Sequence, residues 1–279
     1  MAIQNSVPDL LLRLATELDD PALSDAATGR IGITRSIRAL DSASNQEYMR
    51  LRGDCGDMMP FKQTVTLTAD SNDTDRYPLP PRVRETIRFA QGATPITPLN
   101  VYNTNGSGFV MEEGGRALRK RNLEPSGTIS AWVIQTPCKL AMGAASNYTA
   151  TTVVFQATPT IGTIEIQNDY YNGARVCSML DGQIRTITDY VGSTRTATVA
   201  TWDSTPSTTS QYCIMFDMPD VVAESVVLRA AVQIARSDKV LKDSLPDIKA
   251  AYAAAHRDAR VLVDKMNRGR QKIPRAWWG

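Results

Sequence analysis

The residue types that perform acid–base, nucleophilic or metal chemistry are few in this sequence and widely spaced. The single histidine, His256, lies in an alanine-rich, charged stretch, which predicts a solvent-exposed position on a helix. A serine or cysteine nucleophile would need this histidine as its base, and no G-x-S-x-G elbow accompanies it. The four cysteines form no C-x-x-C pair, so we expect reduced, buried thiols rather than disulfides or metal ligands. They are Cys55, Cys138, Cys177 and Cys213.

Two further stretches resemble ligand-binding loops but lack their key residues. The acidic run DSNDTD, Asp70–Asp75, begins like a calcium loop. Its sixth position is Asp75 rather than glycine and its twelfth is Pro81 rather than glutamate, so the EF-hand pattern fails. The glycine-rich GSGFVMEEGG at 106–115 lacks the Gly-Lys-Ser/Thr of a phosphate-binding loop. We therefore expect no catalytic residue, no metal and no cofactor, and we do not expect an enzyme.

Two basic clusters are candidates for partner binding. The first, RALRKRN, contributes Arg116, Arg119, Lys120 and Arg121, and is either a solvated face or a contact with phosphate or an acidic subunit. The second is the basic Trp segment, RGRQKIPRAWWG at 268–279. Tryptophan is costly to leave in water, so this segment either folds back on the body or binds a partner. Its candidate binding residues are Arg268, Arg270, Lys272, Pro274, Arg275, Trp277 and Trp278.

The overall charge excludes a protein that coats DNA through a basic field. The formal net charge is +2, and five of the 31 Lys and Arg residues lie from Lys265 onward, which leaves about −3 on the rest of the chain. No apolar run approaches the roughly 20 residues of a membrane span. The first residues carry acids where a signal peptide would have its cleavage site. We expect that the protein does not associate with a membrane and that it is synthesised in the cytoplasm.

Threonine and alanine usage divides the chain into three zones that must position these residues. Residues 1–55 contain three threonines, residues 56–216 contain 25, and residues 217–279 contain none but have 11 alanines. Because threonine favours strands and alanine favours helices, this order predicts helices, then sheet, then helices. We take these three zones as the domain boundaries.

The fold class expected from this pattern is α+β. Helices are expected from Ser6 to about Asp20, over about 34–52 with Gly53 as the stop, from a start at Asp217–Asp220 to about Ser237, and from Ser244 onward. The two N-terminal and two C-terminal helices are expected to pack as one bundle. A large antiparallel β-barrel or sandwich is expected between them, with a hairpin turning near 191–193 and a strand that alternates Ile164 and Ile166 with polar residues.

At this point the sequence resembles a known family. VPDLLLRLATELDD followed by QEYMRLRGD, and the final SDKVLKDSLPDIKAAYAAAHRDARVLVDKMNRGRQKIPRAWWG, are similar to the two ends of head-to-tail adaptor (connector) proteins of tailed bacteriophages. GQIRTITDYVGSTRTATVATWD resembles a hairpin of phage structural proteins. The likeness covers both ends and part of the middle, about half of the chain, and the middle zone is larger than in the smallest members.

The resemblance implies a structural virion protein of the neck or collar, made in the host bacterial cytoplasm. It would form a ring beneath the portal protein with the portal's twelve-fold symmetry and join the capsid to tail or nozzle proteins. The helical bundle would supply contacts with neighbouring copies, and the basic Trp segment would dock onto the portal. Packaged DNA would pass through the ring without sequence-specific binding.

Two other functions fit the same sequence. The chain could be another ring-forming virion protein, such as a tail-tube or collar component. It could also bind nucleic acid, with the basic Trp segment following phosphates while Trp277 and Trp278 stack on bases. The few charges in that segment and the mildly acidic remainder argue against the second alternative.

Overall fold

The computed structural model describes residues 4–20, 32–56, 62–91, 94–96, 99, 107–112, 116–122 and 128–268. Within them the chain is a mixed α+β protein with four α-helices and fourteen strands, as the sequence predicted at the level of fold class. The helices are α1 (Val7–Glu17), α2 (Ile33–Cys55), α3 (Asp220–Ser237) and α4 (Leu245–Arg268), with a 3-10 turn at Val240–Lys242 before α4.

Helix α1 begins where the capping pattern predicts. The Ser6 hydroxyl accepts a hydrogen bond from the Asp9 N–H at 3.4 Å, and Pro8 occupies the first turn, where it has no N–H to leave unpaired. The apolar stripe of the helix buries Leu10 and Leu14 completely. The helix ends at Glu17, just before the expected stop at Asp20.

Helix α3 contacts each of the other three helices. It is buried on most of its circumference, and its small and branched side chains, including Ala223, Val227 and Ala231, have no exposed surface. Helices α1, α2 and α4 all pack against it, so residues from both ends of the chain share one hydrophobic cluster. Small residues at these contacts allow close approach of the helix axes.

The expected stop of α2 at Gly53 is wrong. The helix continues to Cys55, and Gly56 ends it with φ of 75° while its N–H donates to the Arg52 carbonyl at 2.9 Å. An isolated helical glycine is tolerated at a cost, whereas a left-handed residue just after the last turn is the usual glycine stop. Gly56 is therefore the glycine that ends α2, the role that the sequence had predicted for Gly53.

The first seven strands form two small antiparallel sheets. Strands β1 (Lys62–Thr68), β7 (Thr128–Gln135), β3 (Val83–Gln91) and β4 (Thr94–Ile96) pair in that order. Strands β2 (Arg76–Pro78), β6 (Ala117–Arg121) and β5 (Gly108–Met111) make the second sheet. The two sheets share a core in which Tyr77 meets Phe109 edge to face, with ring centroids 5.4 Å apart.

Six of the remaining seven strands close into a barrel. The seven strands are β8 (Ala141–Tyr148), β9 (Thr152–Phe155), β10 (Ile161–Gly162), β11 (Arg175–Ser178), β12 (Ile184–Val191), β13 (Thr196–Val199) and β14 (Gln211–Ile214). Hydrogen bonding runs β8–β14–β11–β12–β13–β9 and returns to β8, with β10 added to β8. Aromatic rings fill the interior: Phe155 lies 4.5 Å from Tyr212 and 6.0 Å from Tyr190 by ring centroids.

One predicted barrel hairpin is confirmed and one predicted strand is wrong. Strands β12 and β13 form the expected hairpin, which turns at residues 192–195. Residues 163–166, expected as a strand, have no regular structure. Tyrosine hydroxyls bind this backbone in place of a sheet ladder: the Glu165 N–H donates to the Tyr171 hydroxyl at 3.2 Å, and the Tyr190 hydroxyl donates to the Glu165 carbonyl at 2.6 Å.

The four-stranded sheet meets the barrel at the buried guanidinium of Arg82. It donates to the carbonyls of Thr136 at 2.7 Å, Tyr170 at 2.5 Å and Asn172 at 3.1 Å. Arg82 precedes β3 and Thr136 follows β7, while Tyr170 and Asn172 lead into β11 of the barrel. One side chain that is 3% exposed thus connects the two β-modules.

Candidate functional site

Most of the basic Trp segment lies outside the described residues. Arg268 is the last residue of α4 and is exposed. The other candidate binding residues are not among those that the structure describes, and the predicted binding role of the segment stays a prediction. They are Arg270, Lys272, Pro274, Arg275, Trp277 and Trp278.

Arg119, Lys120 and Arg121 of the basic cluster lie on β6, which Arg116 directly precedes, and two of them face carboxylates of the same chain. Arg119 contacts Asp73 at 2.7 Å and Glu112 at 3.3 Å, and Lys120 contacts Asp75 at 3.1 Å. The acidic run at 70–75 thus acts as a set of counter-ions for β6. Arg116 is exposed and donates to the Pro81 carbonyl at 3.3 Å.

Arg76 on β2 extends this charge network, contacting Asp70 and Glu112 at 3.0 Å each. The Asn72 N–H, with help from the Arg76 guanidinium, holds the pKa of Asp70 below its usual value. The hydrogen bond that the Arg119 guanidinium donates to Asp73 raises the pKa of Arg119. Because these charges are already paired within the chain, the cluster is less available to bind a phosphate group than the sequence alone suggests.

His256 is not solvent-exposed as the sequence predicted. Only 6% of it is exposed, and it lies on the face of α4 that packs against α2. Its Nδ1 is 2.5 Å from Oε1 of Glu47, and its Nε2 is 3.0 Å from Oδ2 of Asp54. Each of its two ring nitrogens therefore faces a carboxylate oxygen.

Glu47 is the centre of this polar cluster and has no exposed surface. Its carboxylate accepts from Tyr252 at 2.8 Å and contacts Arg229 at 3.1 Å, and it also accepts from the Ser225 hydroxyl. The Tyr252 hydroxyl additionally accepts from Arg50 at 2.8 Å. Burial, followed by the hydrogen bond to Glu47, raises the pKa of Tyr252.

This cluster connects α2, α3 and α4 through charge-assisted hydrogen bonds. Both carboxylate oxygens of Glu47 are occupied by side chains of the other two helices, so the cluster is suited to fixing helix register rather than to proton transfer with a substrate. Sequence reasoning missed it because Glu47 and His256 stand 209 positions apart and nothing in either local pattern indicates the pairing. The burial of Glu47 on the inner stripe of α2 is the one local signal.

None of the four cysteines is in a disulfide; Cys138, Cys177 and Cys213 are buried as expected, whereas Cys55 is only half-buried. Burial raises the pKa of Cys55, Cys138 and Cys177 to about 11 and that of Cys213 to about 12. Because the thiolate is the reactive form, these side chains are poor nucleophiles at neutral pH.

Among the described residues no group of three or more His, Cys, Asp or Glu side chains is arranged to hold a metal ion. Within the same ranges no helix is both long and apolar enough to cross a membrane. A comparison with protein-family models and with curated proteins finds no match for the chain.

Proposed function

We propose that the chain is a structural virion protein, a head-to-tail adaptor that binds in multiple copies beneath the portal ring and joins the capsid to the tail. The observation that carries this proposal is the contact of α3 with α1, α2 and α4, through which helices from both ends of the chain share one core while the strands lie between them in sequence. The same order of elements underlies the resemblance to phage adaptors.

The polar chemistry of the described residues also supports a structural role. Glu47, His256 and Arg229 are paired with one another rather than directed at an open cavity. The thiols are protonated at neutral pH because burial raises their pKa. A protein that holds a ring together requires helices fixed against one another, and this role requires no reactive side chain.

In this proposal the helices form a bundle that contacts neighbouring copies, and the barrel faces tail or nozzle proteins. The basic Trp segment docks in grooves of the portal, where Arg268, Arg270, Lys272 and Arg275 pair with acidic groups. Pro274 keeps the segment extended while Trp277 and Trp278 fill apolar pockets. One such contact is weak, but many on one ring give strong attachment through avidity.

Mass photometry of the cognate portal ring mixed with the chain tests this proposal. The full-length chain is expected to add about a dozen copies to the portal, and a chain lacking 268–279 is expected to add none. A matched variant with Trp277 and Trp278 changed to alanine keeps every charge and separates apolar anchoring from ion pairing. Equal binding by the full-length and shortened chains refutes the role of the segment, and no binding by either refutes the adaptor.

A further inference from the structure

A small cavity lies where the four-stranded sheet, the barrel and the helices meet. Gln63 of β1 and Gln135 of β7 line it from the sheet, and residues 216–218, which connect β14 of the barrel to α3, line it from the other side. The carboxylate of Asp217 connects these parts: it accepts from Gln63 Nε2, and its Oδ1 accepts from Arg175 Nε of β11 at 2.8 Å. The cavity is therefore bordered by polar side chains from all three parts of the fold.

The amide of Gln135 is buried at this cavity without a protein partner. The residue is 2% exposed, and within the described residues neither its Oε1 nor its Nε2 makes a hydrogen bond. The Oε1 of Gln63 is also buried and unpaired in those residues, although its Nε2 is bound to Asp217. Buried polar atoms of native proteins are nearly always paired with protein or with ordered water, because an unpaired one loses its solvation without compensation.

The position of Gly173 shows that the two unpaired amide oxygens converge. A Cβ added to this glycine would lie 2.7 Å from Gln63 Oε1 and 3.3 Å from Gln135 Oε1. Gly173 has a φ of 82°, and its N–H donates to the Ile187 carbonyl of the barrel at 2.8 Å, which fixes its backbone. Two side chains from neighbouring strands of the sheet thus direct unpaired oxygens towards the same place beside the barrel.

The size and charge of the cavity select a small neutral ligand. Its volume is about 10 Å3, which is about the space that one water molecule requires. Arg82 and Asp217 both line it, so their opposite charges balance, and the Arg82 guanidinium would repel a cation. A water molecule can donate to Gln63 Oε1 and exchange a hydrogen bond with the Gln135 amide, which supplies both a donor and an acceptor.

We propose that this cavity is a binding site for one buried water molecule, which bridges the side-chain amides of Gln63 and Gln135 at the junction of the sheet, the barrel and α3. The water completes a polar network in which Asp217 already connects Gln63 to Arg175. The proposal goes beyond the adaptor function and does not depend on it, because it concerns how the parts of a single chain are held together.

Water-to-protein ROESY spectra of the full-length chain, with its glutamine side chains labelled with nitrogen-15, test the site directly. The Gln135 side-chain N–H signals, assigned by their loss in Gln135→Met, are expected to show dipolar cross-peaks to a water that stays bound longer than the protein takes to tumble. The control is Gln46, which is exposed and whose Nε2 donates to Ser42 Oγ at 3.0 Å, so that it meets only short-lived surface water. Absence of these cross-peaks at Gln135, or equal ones at Gln46, would overturn the proposal.

Urea denaturation of Gln135→Met gives an independent test whose sign depends on the water. Methionine has a similar length and no amide, so with a bound water it removes hydrogen bonds and lowers the urea midpoint by roughly 0.3–1 M. Without a water it removes an unpaired buried amide, and the midpoint rises or stays unchanged, which would refute the proposal. Gln167→Met, at an exposed position, is expected to leave the midpoint unchanged. A difference between sodium and choline chloride in the effect of Gln135→Met would identify a bound cation instead and equally refute a water site.

Discussion

At the scale of single residues, the buried carboxylate of Glu47 governs how α2, α3 and α4 are held together. Glu47→Ala would remove the buried carboxylate that the half-buried Arg229 and the buried His256 both contact. Breaking a buried ion pair from one side costs about 3–5 kcal/mol, because the remaining charge stays desolvated. We expect a loss of this size in the free energy of unfolding, measured by urea denaturation.

The matched control for Glu47 is Asp203, whose side chain is 83% exposed and contacts Arg185 at 2.6 Å. Exposed pairs contribute at most about 1 kcal/mol, so Asp203→Ala is expected to change stability by less than that. A loss of similar size for Glu47→Ala and Asp203→Ala would contradict the assignment of Glu47 as the centre of the cluster.

Asp41 of α2 makes a separate prediction about pH. Burial raises its pKa from 3.8 to about 6, although its Oδ1 accepts from the Leu140 N–H at 3.0 Å. Between these two values the folded state binds more protons than the unfolded state, so stability falls as pH rises from about 4 to 6. A pKa difference of about two units between the folded and unfolded states corresponds to about 3 kcal/mol of stability. Asp41→Asn, which keeps an acceptor for Leu140, should raise the free energy of unfolding at pH 7.5 by about 2 kcal/mol and flatten that part of the pH profile.

Single residues were the hardest part of the structure to predict. The capping bond of Ser6 follows from four adjacent residues and could be read directly. The burial of His256 depends on Glu47 and Asp54, about 200 positions away, and its own neighbours are charged and small. The local sequence pattern predicts a helix and its apolar face, whereas the partner of a buried polar side chain is determined by tertiary packing.

At the scale of elements, the four helices and the β12–β13 hairpin were predictable, while the end of α2 was not. Alternating threonines and apolar residues located the β12–β13 hairpin because side chains alternate between faces of a strand. The segment at Ile164–Ile166 has the same alternation, but tyrosine hydroxyls from the barrel bind its backbone instead. Alternation indicates a strand only where a neighbouring edge is free to pair.

The two glycines at the end of α2 make an element-scale prediction. Gly53→Ala is expected to stabilise the protein by about 0.5–1 kcal/mol, because Gly53 is helical and an added Cβ meets nothing within 4 Å. Gly56→Ala has equal space but a φ of 75°, and is expected to destabilise by about 1 kcal/mol. Thermal unfolding of both variants is the measurement. Opposite results would restore Gly53 as the helix stop.

At the scale of the whole molecule, threonine and alanine usage predicted the order of helices and strands, but closure of the barrel could not be predicted. Closure depends on β9 pairing with both β8 and β13, and the paired residues of β9 and β13 are 42 to 46 positions apart in the sequence. No local sequence pattern indicates that the strands divide into two sheets and a barrel, or that Arg82 connects the four-stranded sheet to the barrel. Arg82 is a charged residue just before a strand, and from the sequence alone such a residue is expected to be exposed.

Arg82→Met tests whether this connection makes the β-modules one cooperative unit. Methionine fills much of the space of the arginine stem but leaves the carbonyls of Thr136, Tyr170 and Asn172 without their donor. Unpaired buried carbonyls cost about 1–3 kcal/mol each, so a loss of roughly 3 kcal/mol or more is expected at this joint. Hydrogen exchange should show lower protection in β1, β3 and β7, with the barrel strands still protected.

The matched control for Arg82 is Arg185→Met, since Arg185 donates to the Thr201 and Ile184 carbonyls within the barrel region alone. It should lower protection in β12 and β13 and leave the four-stranded sheet unchanged. If Arg82→Met lowered protection equally in the sheet, the barrel and the helices, the connection would be one of many rather than the joint between modules. If only the sheet responds, the barrel and helices fold as a unit that carries the four-stranded sheet as an appended module.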